Sequence, residues 1–116
     1  MKTNIERATV RNNAYRRVLY TVKNSIQLVV MSLEPKQEIG MEVHNDTSQF
    51  IRVEEGKGVA YISGRKYMLK AGDAVIIPKG SKHNIINTHK SKSLKLYSLY
   101  TPPVHKDKLV DRQKHD

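Results

Sequence analysis

The sequence predicts an all-β domain, built as a sandwich or a barrel, on two observations. Short stretches rich in β-branched and apolar residues recur along the chain, and clusters of Gly, Pro, Asn, Asp or Ser separate them. No segment combines helical periodicity with the length of an ordinary helix. With 116 residues, the chain can enclose one modest core but not two, so a single domain is expected.

The predicted strands follow one another at short spacings. In chain order they are Arg16–Val22, Gln27–Leu33, Met41–His44, Gln49–Glu54, Val59–Ile62, Lys66–Leu69, Ala74–Ile77, His83–Asn87 and Leu94–Tyr100. Glycine-containing turns such as Gly56-Lys-Gly58 separate neighbouring strands. Pro102-Pro103 ends the last strand, because neither proline can donate a hydrogen bond to a neighbouring strand.

The composition divides the chain into three regions. Residues 1–14 are polar and are predicted to form an N-terminal arm with at most a short turn of helix. Residues 15–101 contain all the predicted strands and form the barrel. Residues 102–116 are mostly charged and are expected to form a loose C-terminal tail.

Alternation along two strands indicates which side chains face the interior. If Gln49 points inward, Ile51 does so as well, and Arg52 points outward. On the last strand, alternation with the neighbouring leucines favours Tyr100 as an inward side chain. Ile51 and Tyr100 are therefore candidates to line a pocket.

The predicted strand Met41–His44 has an unusual pattern. Glu42 and His44 share one face, and Met41 and Val43 share the other. This arrangement makes sense if the polar face surrounds a site and the apolar face packs against another sheet.

The most distinctive segment is the one that surrounds the predicted strand Ala74–Ile77. It reads Gly72-Asp-Ala-Val-Ile-Ile-Pro-Lys-Gly-Ser-Lys-His-Asn-Ile-Ile-Asn87. Pro78 stops strand pairing, and Gly80 permits the backbone angles of a sharp corner. His83 then opens the next strand, where a neutral imidazole can point into the interior.

This spacing of glycines, proline, histidine and asparagine resembles the second motif of the cupins. These are small double-stranded β-helix (jelly-roll) barrels that usually hold one metal ion, and the resemblance covers about residues 25–101. The chain is similar to the small single-domain cupins of type 2, often described as mannose-6-phosphate isomerase-like. The resemblance implies a jelly-roll barrel, with His83 as the last metal ligand.

The first motif of the family is found by counting back from Gly56. It implies Gln49 at the position of the family's glutamate, and His44 and Glu42 at the positions of its two histidines. Together with His83, these residues offer two imidazoles, one carboxylate and one amide oxygen. The set suits one divalent ion, Zn²⁺, Fe²⁺, Mn²⁺, Ni²⁺ or Co²⁺. The alternative is a hydrogen-bonded polar cluster, or a bare binding pocket.

Three functions remain open. The resemblance implies a metal-dependent, isomerase-like enzyme that acts on a polar small molecule such as a sugar or a sugar phosphate. The sequence places no second inward carboxylate or free inward histidine as its base, and no inward Lys or Arg to hold a phosphate. The second function is a non-haem iron dioxygenase, with Fe²⁺ held by Glu42, His44 and His83. The third is a non-catalytic module that binds a small ligand.

The formal net charge is +10, yet the basic residues are scattered rather than gathered into one patch. Only residues 24–55 carry more acidic than basic side chains. A solvated basic surface is therefore expected, and nucleic-acid binding is the least favoured role. His89, His105 and His115 lie among lysines and are expected to be solvated.

The remaining expectations concern partners and location. Unpaired strand edges are relieved by pairing with a second copy, so we expect a homodimer. No apolar run reaches the length of a membrane span, and no secretory signal precedes the barrel. The absence of cysteine fits a reducing interior, so a cytoplasmic location is expected.

Overall fold

One helix and nine strands make up residues 1–115, the part of the chain that the computed structural model describes. In chain order they are α1 (Ile5–Arg11), β1 (Arg16–Val22), β2 (Ile26–Leu33), β3 (Ser48–Glu55), β4 (Lys57–Ile62), β5 (Arg65–Lys70), β6 (Ala74–Ile77), β7 (His83–Asn87), β8 (Leu94–Thr101) and β9 (Val110–Asp111). The sequence predicted β1 to β8 to within two residues at each end.

The strands form two antiparallel sheets. The larger sheet has the order β6-β3-β8-β2-β1-β9, and the smaller has the order β5-β4-β7. Between β3 and β8 the chain crosses repeatedly from one sheet to the other: β3, β6 and β8 belong to the larger sheet, and β4, β5 and β7 to the smaller. This path encloses one core between the two sheets, as in a jelly roll.

The strand register of the larger sheet confirms the predicted faces. Ile51 pairs with Ser98 and Val53 pairs with Leu96, and all four residues are buried. Arg52 lies on the opposite face and is only partly buried. The inner face of this sheet therefore carries the core.

The predicted strand at residues 41–44 is wrong. This segment forms an isolated β-bridge, Glu42 to His83, rather than a strand of a sheet. Met41 and Val43 are 62% and 40% exposed, so they do not pack against another sheet. The alternation of polar and apolar residues correctly predicted an extended segment with two different faces. It could not show that only Glu42 would pair with another strand.

The C-terminal segment was expected to be loose, yet much of it is paired. β9 pairs with the start of β1, and the Val18 amide donates to the carbonyl of Leu109 at 2.8 Å. The Tyr15 amide donates to the carbonyl of Arg112 at 3.1 Å. The physical reason is that β1 would otherwise be an edge strand with unpaired backbone groups.

The predicted N-terminal arm contains helix α1. Asn4 caps it, since its side chain accepts a hydrogen bond from the Arg7 amide at 2.9 Å. The helix contacts β2, β3 and β8, with Thr9 buried. Just beyond it, the amine of Lys95 donates to the Asn13 side chain at 2.9 Å. The division of the chain into arm, barrel and tail stays a prediction.

Within residues 1–115, no helix is long and apolar enough to cross a membrane.

Candidate metal centre

Three of the four predicted ligands lie together at one end of the barrel. One potential ligand atom from each of Glu42, His44 and His83 lies within 4.8 Å of the other two. Two of these side chains come from the segment before β3, and the third opens β7. Ligand atoms separated by such distances can all contact one metal ion.

Backbone hydrogen bonds hold the two segments in register. The Glu42 amide donates to the His83 carbonyl at 2.8 Å, and the His83 amide donates to the Glu42 carbonyl at 2.9 Å. The Gly80 amide donates to the His44 carbonyl at 2.8 Å. Gly80 has a φ of +84°, which explains the glycine in the corner before β7. The corner thus fixes the segment that carries two of the candidate ligands.

His83 has the arrangement expected of a metal-binding histidine. Its side chain is buried, and Nδ1 lies 3.0 Å from the carbonyl oxygen of Ser81. Because a carbonyl only accepts, this contact assigns the proton to Nδ1 and leaves a lone pair on Nε2. Nε2 is buried and has no hydrogen-bond partner within residues 1–115. A buried acceptor without a partner is costly, and a metal ion would satisfy it.

His44 completes the pair of imidazoles. Its ring centroid lies 5.4 Å from that of His83, and its Nε2 lies 4.0 Å from a carboxylate oxygen of Glu42. Burial lowers the pKa of His44 below its usual value, although the nearby Glu42 charge acts in the opposite direction. The neutral imidazole, which is the form that binds metal, is therefore favoured at neutral pH.

Gln49 lies on the inner face of the larger sheet, where it pairs with Tyr100. Its amide nitrogen donates to the hydroxyl of Ser98 at 3.2 Å. Its amide oxygen is buried without a hydrogen-bond partner in the described part of the chain. This free oxygen is compatible with a fourth ligand, and the place of Gln49 in the ligand set stays a prediction.

The two predicted pocket residues differ in their surroundings. Tyr100 is buried, and its ring meets the ring of His44 edge to face at 5.9 Å. Burial raises the pKa of the Tyr100 phenol, so the phenol stays protonated and can donate a hydrogen bond. Ile51 is buried in the hydrophobic core. Their role as pocket-lining residues stays a prediction.

The prediction that His105 is solvated is wrong. Its ring packs edge to face on Tyr100 at 5.1 Å, and burial lowers its pKa to about 4. The side chain of Gln27 holds the backbone here: it accepts from the His105 amide at 2.9 Å and donates to the His105 carbonyl at 2.7 Å. The sequence contained one sign of this packing: Gln27 is a polar residue at an inward position of β2, and such a residue needs a buried hydrogen-bond partner.

The sequence also missed Arg16. The first residue of β1 pairs with Met31, a core residue, so the arginine occupies the inner face of the larger sheet. Its Nη1 lies 3.4 Å from a carboxylate oxygen of Asp111 in β9. The barrel therefore does contain an inward cation, which became visible only with the strand register.

The other two histidines take no part in the cluster. Nδ1 of His89 accepts hydrogen bonds from the amides of Ser91 and Lys92 at 3.0 Å and 3.1 Å, which caps a turn. The side chain of His115 is 81% exposed.

The donor set can bind a divalent transition metal. Glu42, His44 and His83 supply one carboxylate and two imidazoles, a combination found in zinc and in non-haem iron sites. The alternative, a cluster satisfied by internal hydrogen bonds, does not fit the free Nε2 of His83 and the free amide oxygen of Gln49 among the residues described. The geometry is thus compatible with a metal centre.

Comparisons with known proteins agree with this architecture. The cupin domain model, Cupin_2, matches residues 29–100 of the chain. Protein YrkC of Bacillus subtilis, which carries the name uncharacterized, is 40% identical over 97% of this chain and 63% of its own length. The chain therefore spans less than two thirds of that relative.

Solved structures extend the likeness to three dimensions. The crystal structure of BH2720 from Bacillus halodurans is 38% identical, with a TM-score of 0.91 over 97% of this chain and 88% of that chain. An uncharacterized Klebsiella pneumoniae protein with a double-stranded β-helix domain has a TM-score of 0.73 at 24% identity, over 88% of this chain and 90% of that chain. The predicted double-stranded β-helix is confirmed. On the family match, which covers more than half of its residues, the chain belongs to the cupin domain family.

Proposed function

We propose that this cupin is a metalloenzyme that acts on a polar small molecule such as a sugar or a sugar phosphate, with isomerase-like chemistry. Glu42, His44 and His83 would hold one divalent transition metal ion, with Gln49 as a fourth ligand. One observation carries the proposal: His83, which clusters with a carboxylate and a second imidazole, has a buried Nε2 without a hydrogen-bond partner among the residues described.

The residues around the cluster support chemistry on a polar substrate. A bound divalent ion would act as a Lewis acid that polarises a substrate oxygen. The buried phenol of Tyr100 can donate a hydrogen bond to a substrate oxygen. His105, packed on Tyr100, supplies the inward neutral imidazole that the sequence alone did not place. It can accept or donate a hydrogen bond beside the substrate.

A non-haem iron dioxygenase is the second candidate. It is favoured by the ligand inventory, because two histidines and one carboxylate are the protein ligands of such iron sites. The third function, a non-catalytic module that binds a small ligand, requires neither turnover nor a particular metal.

Metal content separates these functions. Elemental analysis would compare the untagged full-length protein with His83→Ala and Glu42→Gln, and with His115→Ala as a control for the loss of an exposed histidine. We expect one metal ion per chain in the parent and in His115→Ala, and a clear loss in the other two variants. Zinc together with sugar-phosphate turnover supports the isomerase, whereas iron together with oxygen consumption supports the dioxygenase. A folded parent that retains no metal, even after incubation with each candidate ion, would contradict both.

We further propose that the protein is a homodimer. The support is an apolar row on the outer face of the larger sheet, where Ile76 pairs with Phe50 and Phe50 pairs with Leu99. Ile76 is 68% exposed on the edge strand β6. An exposed apolar row beside an unpaired edge is a surface that a second copy can cover. The cytoplasmic location stays a prediction.

A further inference from the structure

Three arginines line one cavity where helix α1, strand β1 and the C-terminal segment meet. The cavity has a volume of about 500 Å³, and Arg11, Arg17 and Arg112 are among the residues around it. Arg11 is the last residue of α1, Arg17 belongs to β1, and Arg112 follows β9. The sequence did not show this group, because its members lie at opposite ends of the chain. We call this space the arginine cavity.

The backbone of each arginine is held by the fold. Arg17 pairs with Val30 of β2, and the carbonyl of Arg112 accepts a hydrogen bond from the Tyr15 amide at 3.1 Å. Arg11 lies in the last turn of α1, which contacts β2, β3 and β8. The arginine cavity is therefore a product of the fold and not of a loose tail.

The positive charge of the arginine cavity is not balanced by the protein. No acidic residue of the described chain lines it, and none of its three arginines forms an ion pair within residues 1–115. Nε of Arg17 donates to the side-chain oxygen of the buried Asn12 at 3.3 Å, which orients the guanidinium. Three like charges around one space repel one another, and a bound anion would relieve that repulsion.

The strand register separates the arginine cavity from the metal cluster. Arg17 pairs with Val30, and Val30 pairs with Tyr97. Tyr97 pairs in turn with Arg52, so this row belongs to the outer face of the larger sheet. Tyr100, whose ring contacts a histidine of the cluster, belongs to the inner face. A ligand of the arginine cavity is therefore distinct from a substrate at the metal.

The remaining side of the arginine cavity is partly apolar. Ala8, Ala14 and Leu19 line it together with the arginines. Its volume falls within the range of about 300 to 1,000 Å³ that is usual for small-molecule sites. A small apolar surface beside three cations suits a ligand that joins an anionic group to an organic part.

We propose that the arginine cavity binds a phosphorylated small molecule, with the phosphate held by Arg11, Arg17 and Arg112. A phosphate monoester carries roughly −1.5 to −2 charges at neutral pH and three acceptor oxygens. Planar guanidinium groups donate paired hydrogen bonds to such oxygens. A carboxylate offers one charge and two oxygens, so it matches three arginines less well. This site goes beyond the proposed function, because it gives the protein a second ligand on the other side of the larger sheet.

The test is a titration of the untagged full-length protein with phenyl phosphate, with inorganic phosphate and with acetate, at constant ionic strength. Two-dimensional proton–nitrogen NMR follows the Nε–H signals of the three arginines. We expect saturable shifts with both phosphates, and weaker binding of acetate. Phenyl phosphate should bind more tightly than inorganic phosphate, because its ring can contact the apolar side of the cavity. The signals report on the arginines themselves, so phosphate bound at the metal cluster is not mistaken for binding here.

Substitutions separate a bound anion from simple screening. Arg17→Gln should weaken phosphate binding about tenfold, because it removes charged hydrogen bonds from an oriented, half-buried side chain. Arg112→Gln should weaken it about threefold, since this side chain is exposed to solvent. Arg65→Gln removes the same charge from an exposed position of β5 and should leave the affinity unchanged. If Arg17→Gln does not fold, Arg112→Gln and Arg11→Gln carry the test.

Three outcomes would overturn the proposal. These are shifts that do not saturate with either phosphate, equal affinities for acetate and inorganic phosphate, and an effect of Arg65→Gln as large as that of Arg17→Gln or Arg112→Gln. A thymidine decanucleotide tests the other source of phosphate: if it shifts the three signals and phenyl phosphate does not, the ligand is a nucleic acid and not a small molecule. None of these results depends on metal content, so the proposed metalloenzyme stands or fails separately.

Discussion

The two ring nitrogens of His83 have different roles: one is held by the backbone, and the other is free to bind a metal ion. The Ser81 carbonyl, 3.0 Å from Nδ1, fixes the tautomer and the orientation of the ring. The opposite nitrogen is then left without a proton and without a hydrogen-bond partner within residues 1–115, in a side chain that clusters with Glu42 and His44. The turn before β7 therefore determines both where the ring lies and what it can bind.

His105 makes a prediction about the pH dependence of stability. Its pKa lies at about 4 in the folded protein because of burial, below the value of about 6.5 for an unfolded histidine. Between these two values the unfolded chain binds the extra proton, so His105 destabilises the fold as the pH falls from 6.5 to 4. Above pH 6.5 the ring is neutral in both the folded and the unfolded chain, so His105 causes no loss of stability there.

We expect this loss to amount to roughly 1 to 2 kcal/mol, since the ring is partly exposed and solvent screens part of the effect. Urea unfolding of the parent and of His105→Gln, at pH 7 and at pH 4.5, measures it. The variant should lose less stability on acidification than the parent. Equal losses in the two proteins would show that His105 is solvated, as the sequence had suggested.

At the residue scale, the sequence predicted the candidate ligands that the fold brings together, but not the side chains around them. Glu42, His44 and His83 were found because motif spacing reports residues that lie on one face of short segments. Arg16 was missed because its inward direction depends on the register between β1 and β2. His105 was missed because Gln27, which lies 78 residues away in sequence, positions it.

At the scale of elements, the turn between β3 and β4 makes the sharpest prediction. Gly56 has a φ of +95°, and a Cβ placed on it would lie 2.6 Å from the carbonyl oxygen of Ser93. Gly56→Ala therefore combines backbone strain with a clash against main chain. We expect a loss of about 2 to 4 kcal/mol in the free energy of unfolding.

Gly64 is the matched control for Gly56. It has a φ of +81°, but no described atom lies within 4 Å of the added Cβ. Gly64→Ala should cost only the backbone strain, about 1 kcal/mol. Chemical denaturation of both variants checks the difference. Equal losses would mean that the close approach of Ser93 is not what requires glycine at position 56.

The elements themselves were largely predictable from the sequence, with two instructive exceptions. Alternation and turn residues define β1 to β8, because each of these strands is bounded by a local signal. Residues 41–44 carry the same alternation but make a single bridge. β9 contains only two residues, Val110–Asp111, too short for any pattern, and its pairing is set by the open edge of β1.

At the scale of the whole molecule, the barrel brings the site together from distant parts of the chain. Glu42, His44 and His83 come from the side of the smaller sheet, whereas Tyr100 comes from the larger sheet. The C-terminal segment pairs with β1 at the edge of the larger sheet. A substrate in this position would contact both sheets at once.

The homodimer is a prediction at the same scale. Ile76→Asp places a charge in the apolar row on the outer face of the larger sheet and should weaken the dimer, because burying an unpaired charge is costly. Met68→Asp is the control, since Met68 is 72% exposed on the smaller sheet. Light scattering over a range of protein concentrations measures the mass. A monomeric parent, or equal effects of the two substitutions, would contradict this interface.

The central claim is that Glu42, His44 and His83 bind one divalent metal ion, and anomalous X-ray scattering tests it most directly. Crystals of the untagged protein, as purified or soaked with zinc, would be measured on both sides of the absorption edge of the metal present. The account predicts one anomalous peak per chain, within bonding distance of one atom from each of the three side chains, and its disappearance in His83→Ala. A well-ordered site with no peak, or a peak that persists in the variant, would contradict it.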